Sequence, residues 1–369
     1  MTRRAIMSAC EVSAMSLYAV ILAGGVGARF WPRSRQQRPK QFLSVFGDQS
    51  LIQETVNRMG TLIDSAGLLA ITRADQAGIL QKQLPSLAAH QILLEPVGRS
   101  TAPCIGLAAW LLAARDPEAV MVVLPSDHLI QDSILFQDTL REAIEYVQAH
   151  DVLMTVGIQP SQPETGYGYI LFEQEAMQHR IHQVRQFVEK PDLETARRYV
   201  QSERYLWNAG MFIWKARTIL EEIARHAPDL YALLCTLPND VHDPDFERLM
   251  VEIYPSFPTR SIDYAVMEKS DKVCVVKGFF GWSDVGSWES VYQLSPQDHD
   301  GNVLRGDVFH LDCSNSYLYS PHRFTAMIGL RDLLVVDTED ALLICHRDRA
   351  QDVRLVMQEL ERTHRGDLC

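Results

Sequence analysis

Residues 17–43 read LYAVILAGGVGARFWPRSRQQRPKQFL, and this stretch decides how the rest of the chain is interpreted. It opens with an apolar run that is long enough for a buried strand and too short to span a membrane. Gly24, Gly25 and Gly27 follow, and glycines after a strand let backbone N–H groups approach the phosphates of a nucleotide. Arg29 and Lys40 bring cations to the same loop, where they would neutralise phosphate charge. The stretch predicts a strand followed by an anion-binding loop.

Two better-known glycine loops do not fit the residues that follow. No Gly-Lys-Ser/Thr closes the loop onto a helix, so it is not a P-loop. GGVGAR lacks the last glycine of the dinucleotide fingerprint, and Phe30-Trp31-Pro32 opposes a helix start. A tight turn without a ligand is the simpler alternative for a bare G-G-x-G. A cluster of basic residues favours a ligand, and its members are Arg29, Arg33, Arg35, Arg38 and Lys40.

The composition is that of an ordinary globular protein. The chain has 369 residues, 47% of them hydrophobic and 22% charged, which suffices for one large α/β domain and a small second domain. Its net charge of −12 argues against nucleic acid as a partner, because a duplex binder usually presents a basic face. In such an acidic chain, a locally basic loop indicates a small anionic ligand.

The seven cysteines are scattered, and none has C-x-x-C spacing. They predict neither a disulfide framework nor a thiolate zinc site, and they favour a reducing cytoplasm. The basic and apolar start of the chain hints at a signal peptide, but Glu11 interrupts the apolar segment. We expect residues 1–15 to be a disordered extension, with Met15 as an alternative start, and we expect no membrane association.

Beyond the loop, strand-like apolar runs alternate with helical patterns. This alternation predicts a doubly wound α/β sheet, mixed and mostly parallel, in which ligands bind at the carboxyl ends of the strands. Ser50 and Gln53 form a capping box that starts the first helix. The predicted strands are 68–72, 91–95, 119–124 and 152–158, and the predicted helices are 51–59, 74–84, 101–114 and 136–148.

After Pro296 the alternation of strand and helix stops. Short apolar strands separated by turns follow, and an amphipathic helix over 350–361 closes the chain. We therefore divide the chain into a large α/β domain over 16–295 and a small C-terminal β unit with its terminal helix over 296–369. The strands predicted in the second unit are 303–311, 317–319, 325–329, 333–336 and 341–345.

The pattern G-G-x-G-x-R-x-W-P-x-S-R-x-x-x-P-K-Q-F of residues 24–42 closely resembles the signature of the sugar-phosphate nucleotidylyltransferases. Its Trp31-Pro32 and Pro39-Lys40-Gln41-Phe42 pieces resemble the mannose-1-phosphate guanylyltransferase branch, and further motifs occur in family order over about residues 17–346. The resemblance implies a Rossmann-like nucleotidyltransferase domain with a small C-terminal β-helix-like domain. In the family that small domain often carries dimer contacts, so we expect a homodimer.

The segment from Glu95 to Pro103 resembles the family pattern E-P-x-x-R-N-T-A-P, which lies beside the nucleotide base. Taken alone, the segment is a strand end followed by a helix capped by Ser100 or Thr101. The family usually has Asn where this chain has Ser100, which leaves the strictness for guanine open. The nucleotide-binding candidates are Leu22, Ala23, Gly24, Gly25, Gly27, Glu95, Arg99 and Ser126.

Two carboxylates are candidates for metal binding. Asp127 directly follows a predicted buried strand, where a carboxylate is either a Mg²⁺ ligand or a helix cap. The sequence P-S-D-H around it resembles the metal aspartate segment of the family, and Asp284 in G-W-S-D-V-G-S-W resembles the second metal carboxylate. The resemblance therefore implies Mg²⁺ as a cofactor on Asp127 and Asp284. His128 alone indicates no catalytic role.

Several later segments resemble the sugar-phosphate site of the family, namely T-G-Y-G-Y-I, F-V-E-K-P, W-N-A-G-M-F and S-I-D-Y-A. A glutamate can accept hydrogen bonds from sugar hydroxyls, and a lysine can hold a phosphate. A solvated charge pair is the simpler interpretation of Glu189-Lys190 taken alone. The sugar-phosphate candidates are Gly168, Glu189, Lys190, Asn208 and Asp263.

The resemblance implies transfer of GMP from GTP to α-D-mannose 1-phosphate, with GDP-mannose and pyrophosphate as products. Arg29 and Lys40 would hold the triphosphate and the leaving group, and Lys190 would hold the attacking phosphate. Two alternatives stay open: another pair of nucleoside triphosphate and sugar 1-phosphate, or a catalytically silent regulator that binds a nucleotide sugar.

Overall fold

The computed structural model describes residues 16–25 and 27–369, so the expected extension over 1–15 and the alternative start at Met15 lie outside the described residues. The strands, in chain order, are β1 (Leu17–Ala23), β2 (Leu68–Arg73), β3 (Ile92–Glu95), β4 (Val120–Pro125), β5 (Leu129–Ile130), β6 (Leu153–Ile158), β7 (Tyr169–Phe172), β8 (Ile181–Val188), β9 (Tyr205–Lys215), β10 (Val273–Gly278), β11 (Trp282–Ser283), β12 (Val303–Leu311), β13 (Tyr317–Ile328), β14 (Leu333–Asp337) and β15 (Leu342–His346). The α-helices are α1 (Leu51–Asn57), α2 (Ala77–Gln83), α3 (Thr101–Arg115), α4 (Ser133–Ala149), α5 (Leu193–Ser202), α6 (Ala216–His226), α7 (Pro228–Leu234), α8 (Phe246–Ile253), α9 (Trp288–Leu294) and α10 (Arg354–Arg362).

In the described part of the chain, nine strands form one mixed sheet in the order β3-β2-β1-β4-β9-β6-β10-β8-β7. Strands β8 and β9 run against the other seven, because each pairs antiparallel with its neighbours while β3, β2, β1 and β4, and also β6 and β10, pair parallel. The strand order reverses between β1 and β4, which opens a crevice at their carboxyl ends. The predicted doubly wound, mostly parallel sheet is confirmed.

Two apolar layers cover the sheet because successive strand residues point to opposite faces. Val20 packs with α3, α6, α7 and α8 on one face, whereas Ala19 and Ile21 pack with α1, α2 and α4 on the other. The strands β1 and β4 are buried on both faces, which is why they read as continuous apolar runs. The capping box predicted at Ser50 is present, with Gln53 as its reciprocal partner.

The C-terminal unit is a sheet in the order β12-β13-β14-β15, parallel except for its last pairing. The two strands predicted at 317–319 and 325–329 are wrong as separate elements and form the single strand β13. The register of β12 against β13 shifts after Gly306, whose Cα approaches the Ser320 carbonyl so closely that a Cβ would lie 2.0 Å from it. The bulge lets β13 continue through the segment that the sequence pattern predicts as a turn.

A third apolar core joins the C-terminal sheet to the loop that follows β1. Trp288 is fully buried between Phe30 and Tyr317, with ring centroids 5.1 and 5.6 Å away. Its indole nitrogen donates to the Trp31 carbonyl at 3.0 Å, and the Trp31 indole donates to the Leu368 carbonyl at 3.0 Å. The loop is therefore supported from behind by the C-terminal unit.

The described residues contain no helix that is both long and apolar enough to cross a bilayer.

We predict that Trp288→Phe lowers both stability and activity. The substitution leaves the buried Trp31 carbonyl without its donor, and an unsatisfied buried acceptor costs about 1–3 kcal/mol of unfolding free energy. Urea unfolding measures the free energy of unfolding, and the turnover number shows whether the loop after β1 keeps its active conformation. The matched control is Trp110→Phe, which removes an indole bond of 3.1 Å to the Leu237 carbonyl in another part of the fold. Equal activity of the two variants would show that the loop does not depend on Trp288.

Candidate active site

A cleft of about 490 Å³ lies at the carboxyl ends of the sheet strands. Its position at the β1–β4 crevice is the one expected for a ligand site in an open α/β sheet. Fifteen of the candidate residues line it, and they are Leu22, Ala23, Gly24, Gly25, Gly27, Glu95, Arg99, Ser126, Asp127, Gly168, Glu189, Lys190, Asn208, Asp263 and Asp284.

The remaining candidates, Arg29 and Lys40, line a smaller pocket of about 180 Å³ beside the cleft. The two pockets share Gly27, Asp127, His128 and Asp284, so they adjoin each other. Arg29 is exposed within a short 3-10 turn, whereas Lys40 is only 6% exposed. The structure thus separates an exposed cation at the rim from a buried cation inside.

Lys40 contacts both of the aspartates that are candidates for metal binding. Its Nζ donates to Asp127 Oδ2 at 2.9 Å and to the backbone carbonyl of Asp284 at 2.6 Å. The Tyr167 hydroxyl donates to Asp284 Oδ1 at 2.6 Å. A buried ammonium group must be paired, and these acceptors compensate its loss of hydration. Four residues from distant segments therefore form one hydrogen-bonded group.

The electrostatics of this group favour an ionised Asp127. Burial alone would raise the pKa of its carboxyl, but the charge and hydrogen bond of Lys40 hold the pKa below its ordinary value. Burial also lowers the pKa of His128 to about 4, so its ring is neutral. Trp282 Nε1 lies 3.1 Å from His128 Nδ1 and donates to it, which assigns the ring proton to Nε2. That nitrogen lies 3.9 Å from Asp127 Oδ1.

The glycine loop is shaped by contacts that Gly27 and Gln41 make. Gly27 has φ 72°, and a Cβ at this position would lie 2.4 Å from the Lys40 Cβ. Gln41, which is 2% exposed, donates from Nε2 to the carbonyls of Ala23 at 2.9 Å and Gly25 at 3.1 Å. The first contact brings Lys40 against the loop, and the second fixes the loop backbone after β1.

The base-side candidates are held by a segment far along the chain. Glu95 ends β3, and Tyr254 donates its hydroxyl to Glu95 Oε1 at 2.6 Å. The Arg99 guanidinium donates to Thr259 Oγ1 at 3.1 Å, so both candidates contact residues 254–259. Ser100 is the N-cap residue of α3, one of the two predicted positions, and has φ 68°; its side chain makes no cap hydrogen bond.

On the opposite wall, the sugar-side candidates contact one another. A Cβ at position 168 would lie 2.5 Å from Glu189 Oε2, so Gly168 leaves the room that this carboxylate occupies. The Asn208 amide donates to Asp263 Oδ1 at 2.9 Å, and its carbonyl oxygen accepts from the Thr155 hydroxyl at 2.9 Å. Burial and the charge of Glu189 raise the pKa of Asp263 to about 6.

Lys190 extends the polar wall toward the solvent. Its ammonium pairs with the Glu189 carboxylate, and its own side chain is about half exposed, at 54%. Its backbone has φ 50°, a left-handed conformation that is uncommon for a residue with a Cβ, and its N–H donates to the Tyr167 carbonyl at 3.2 Å. Lys190 is also one of the residues that line the cleft.

Sequence reasoning did not assign the supporting residues Tyr167, Gln41 and Tyr254. Tyr167 and Gln41 lie in the T-G-Y-G-Y-I and P-K-Q-F motifs, directly beside the candidates Gly168 and Lys40, and that proximity is a signal that could have identified them. Tyr254 lies 159 residues from its partner Glu95, and no local pattern marks that pairing. Only the folded chain brings these residues together.

The site combines a glycine loop at a topological switch point, a lysine that contacts two aspartates, and a polar wall opposite. This combination defines a nucleotide-binding transferase of the α/β class. Residues 18–301 match the model of the nucleotidyl transferase family, and residues 306–360 match the MannoseP isomerase/GMP-like beta-helix domain. The first match covers more than half of the chain. The chain belongs to the nucleotidyl transferase family.

Individual relatives agree with this assignment. The chain is 42% identical over 358 residues to mannose-1-phosphate guanylyltransferase RfbM of Salmonella typhimurium strain LT2. The aligned region covers 96% of this chain and 74% of the relative. It is 41% identical over 352 residues to alginate biosynthesis protein AlgA of Pseudomonas aeruginosa, and here the aligned region covers 94% of this chain and 73% of the relative. A solved structure described as mannose-1-phosphate geranyltransferase from Thermus thermophilus has a TM-score of 0.84 and 33% identity, and covers 94% of this chain and 100% of that chain.

Members of this family typically use a divalent metal ion. The described residues contain no group of three or more His, Cys, Asp or Glu side chains that could hold one. Asp127 and Asp284 both line the cleft, and two carboxylates are enough for Mg²⁺, which takes the rest of its ligands from phosphates and water. The hard oxygen donors present here therefore fit such an ion.

We predict that Gly27→Ala lowers kcat, because the new Cβ meets the Cβ of Lys40 and the left-handed backbone disfavours alanine. Steady-state kinetics measure the effect. The matched control is Gly47→Ala in the same long loop, where a Cβ would meet no described atom within 4 Å. Unchanged kcat in Gly27→Ala would show that the position of Lys40 does not depend on this contact.

Proposed function

We propose that this chain transfers GMP from GTP to α-D-mannose 1-phosphate and produces GDP-mannose and pyrophosphate. The observation that carries the proposal is the 42% identity, over 96% of the chain, to a relative named mannose-1-phosphate guanylyltransferase. The cleft supports it, since a glycine loop suits a triphosphate and the polar wall of Glu189, Asn208 and Asp263 suits a sugar.

The proposed reaction is an in-line displacement at the α-phosphorus of GTP. A phosphate oxygen of mannose 1-phosphate forms a bond to that phosphorus while the bond to the bridging oxygen of pyrophosphate breaks. The bridging oxygen leaves with the electron pair. Because the attacking oxygen is already anionic, no general base is required, and positioning with charge neutralisation supplies the catalysis.

Each cation has a proposed role in that displacement. Arg29 at the rim and Lys40 inside hold the triphosphate and neutralise the charge that develops on pyrophosphate. Lys190 holds the attacking phosphate. Glu189 and Asp263 accept hydrogen bonds from the sugar hydroxyls, the Asn208 amide can donate or accept, and Gly168 leaves room for the Glu189 carboxylate. The base lies between the loop after β1 and the segment of Glu95 and Arg99, with Leu22 and Ser126 beside it.

Asp127 and Asp284 would hold Mg²⁺, which when bound supplies positive charge to the phosphate oxygens at the reacting centre. Their surroundings support this assignment. Tyr167 orients the Asp284 carboxylate, and Lys40 keeps Asp127 ionised. Both side chains line the cleft, where their oxygens can contact a bound ion.

A coupled pyrophosphate-release assay tests the proposal. It is run with Mg²⁺, GTP and mannose 1-phosphate, beside ATP, UTP, dTTP and glucose 1-phosphate. Release with GTP and mannose 1-phosphate alone supports the proposal. Release with another pair would move the substrate while keeping the mechanism. No release with any pair, from a folded protein that binds GDP-mannose, would make the chain a silent regulator.

We predict that Lys40→Ala lowers kcat by about 10²–10³-fold, the usual loss when one group that stabilises the transition state is removed. Thermal unfolding of the same variant checks that the fold survives. Lys82→Ala on the exposed surface of α2 is the control and should keep full turnover. Full turnover by Lys40→Ala would remove Lys40 from the proposed role.

We also propose that the chain forms a homodimer through its C-terminal unit, residues 296–369. The edge strand β12 exposes Phe309 and Leu311, each at 49%, and Ile328 of the neighbouring strand is 62% exposed. An exposed apolar sheet edge favours pairing with a second copy.

The expected environment is the reducing cytoplasm, since all six cysteines among the described residues are free.

Light scattering coupled to size-exclusion chromatography tests the dimer. We predict that the native chain elutes as a dimer and that Phe309→Glu converts it to a monomer, because a charge on the edge opposes pairing. Ile134→Glu introduces the same charge at another exposed apolar residue, 74% exposed on α4, and should leave the dimer intact. A native monomer would contradict the proposal.

A further inference from the structure

Glu95 is a buried carboxylate with an unusual set of partners. It is 4% exposed, yet its side chain lines the cleft. Its Oε1 accepts from the neutral hydroxyl of Tyr254 at 2.6 Å, and its Oε2 faces Gly24, where a Cβ would lie 3.3 Å from it. A buried charge is ordinarily paired with an opposite charge, so a carboxylate held by a tyrosine and directed at a ligand site suggests ligand recognition.

The Tyr254 hydroxyl is fixed in position. The residue is fully buried, and its ring stacks on Phe257 with centroids 4.7 Å apart. The segment that follows it is joined to the first turn of α3, because the Ala102 N–H donates to the Arg260 carbonyl at 3.1 Å. Tyr254 therefore holds Glu95 Oε1 at one place relative to the cleft.

We propose that Tyr254 is a positioning residue that makes the cleft prefer guanine to adenine, by holding Glu95 as a carboxylate that only accepts hydrogen bonds. This inference rests on the proposed function, in which the base of GTP lies against Glu95. Guanine presents two adjacent donors on its pairing edge, N1–H and N2–H, and an ionised carboxylate accepts both. Adenine presents an acceptor beside a donor, and it matches a protonated carboxyl or an amide.

The groups that face Glu95 decide which form it takes. Burial raises the pKa of its carboxyl, while hydrogen bonds from Tyr254 and the Arg99 backbone and the charge of Arg73 act against that rise. Burial and the Glu95 charge raise the pKa of the neighbouring Cys104 thiol, so it stays neutral. Removal of the tyrosine hydroxyl takes away a donor to the ionised form and favours protonation.

The experiment compares Tyr254→Phe with the native chain, because phenylalanine keeps the ring stack and loses only the hydroxyl. At saturating mannose 1-phosphate, the ratio of kcat/KM for GTP to that for ATP should fall by about tenfold or more, the effect of losing a hydrogen bond to a charged group. Tyr146→Phe is the matched control: this buried tyrosine contacts Met177 Sδ at 3.7 Å, and its loss should leave the ratio unchanged.

Calorimetric binding of GTP and ATP, without mannose 1-phosphate, supplies a second readout. For Tyr254→Phe, GTP affinity should be lost on acidification at a higher pH than in the native chain, because the Glu95 carboxyl protonates earlier. The pKa of Asp263 is also raised, and this residue contacts the sugar in the proposed function. Omitting mannose 1-phosphate therefore keeps the effect of Asp263 on sugar binding out of the measured pH profile. In Glu95→Gln, the amide offers one donor and one acceptor, so GTP affinity should fall while ATP affinity rises.

Two outcomes overturn the inference. An unchanged GTP to ATP ratio with an unshifted pH profile would show that Tyr254 does not act on base choice. An equal loss for both nucleotides would show that it only supports the fold. Failure of the native chain to release pyrophosphate would instead contradict the proposed function, and the binding ratios would still test Tyr254.

Discussion

The Lys40 ammonium lies 2.9 Å from the Asp127 carboxylate and 2.6 Å from the Asp284 carbonyl, and the geometry of the site depends on this buried cation. Burying an unpaired ammonium would cost several kcal/mol, so the fold must bring acceptors to it. Those acceptors come from the end of β4 and from the loop before α9. The same electrostatic requirement thus brings three distant segments to one point.

The loop that carries Lys40 is stabilised from both sides. In front, Gly27 allows the loop to pass within contact of the Lys40 side chain, and Gln41 binds the carbonyls of Ala23 and Gly25. Behind, Trp288 and the C-terminal sheet fill the space beneath Trp31. A phosphate-binding loop gains from such rigidity because preorganised charges need no rearrangement during reaction.

The two walls of the cleft are built on different principles. On the base side, a buried carboxylate is held by Tyr254 and by backbone groups, which suits discrimination through hydrogen-bond donors. On the sugar side, Asn208 of β9 forms a polar pair with Asp263, and Gly168 leaves room for the Glu189 carboxylate. Each wall has a carboxyl group whose burial raises its pKa, Glu95 on one and Asp263 on the other.

The sequence by itself determined the parallel half of the sheet, the capping box at Ser50 and the glycine loop, because each depends on residues that are neighbours in the chain. Motif resemblance also named most residues that line the cleft. The tertiary structure alone decided that 317–328 is one strand and that Tyr254 meets Glu95. These features depend on contacts between residues that are far apart in the chain: Ser320 and Asp337 are 17 residues apart, and Tyr254 and Glu95 are 159 apart. Local sequence patterns do not predict such contacts.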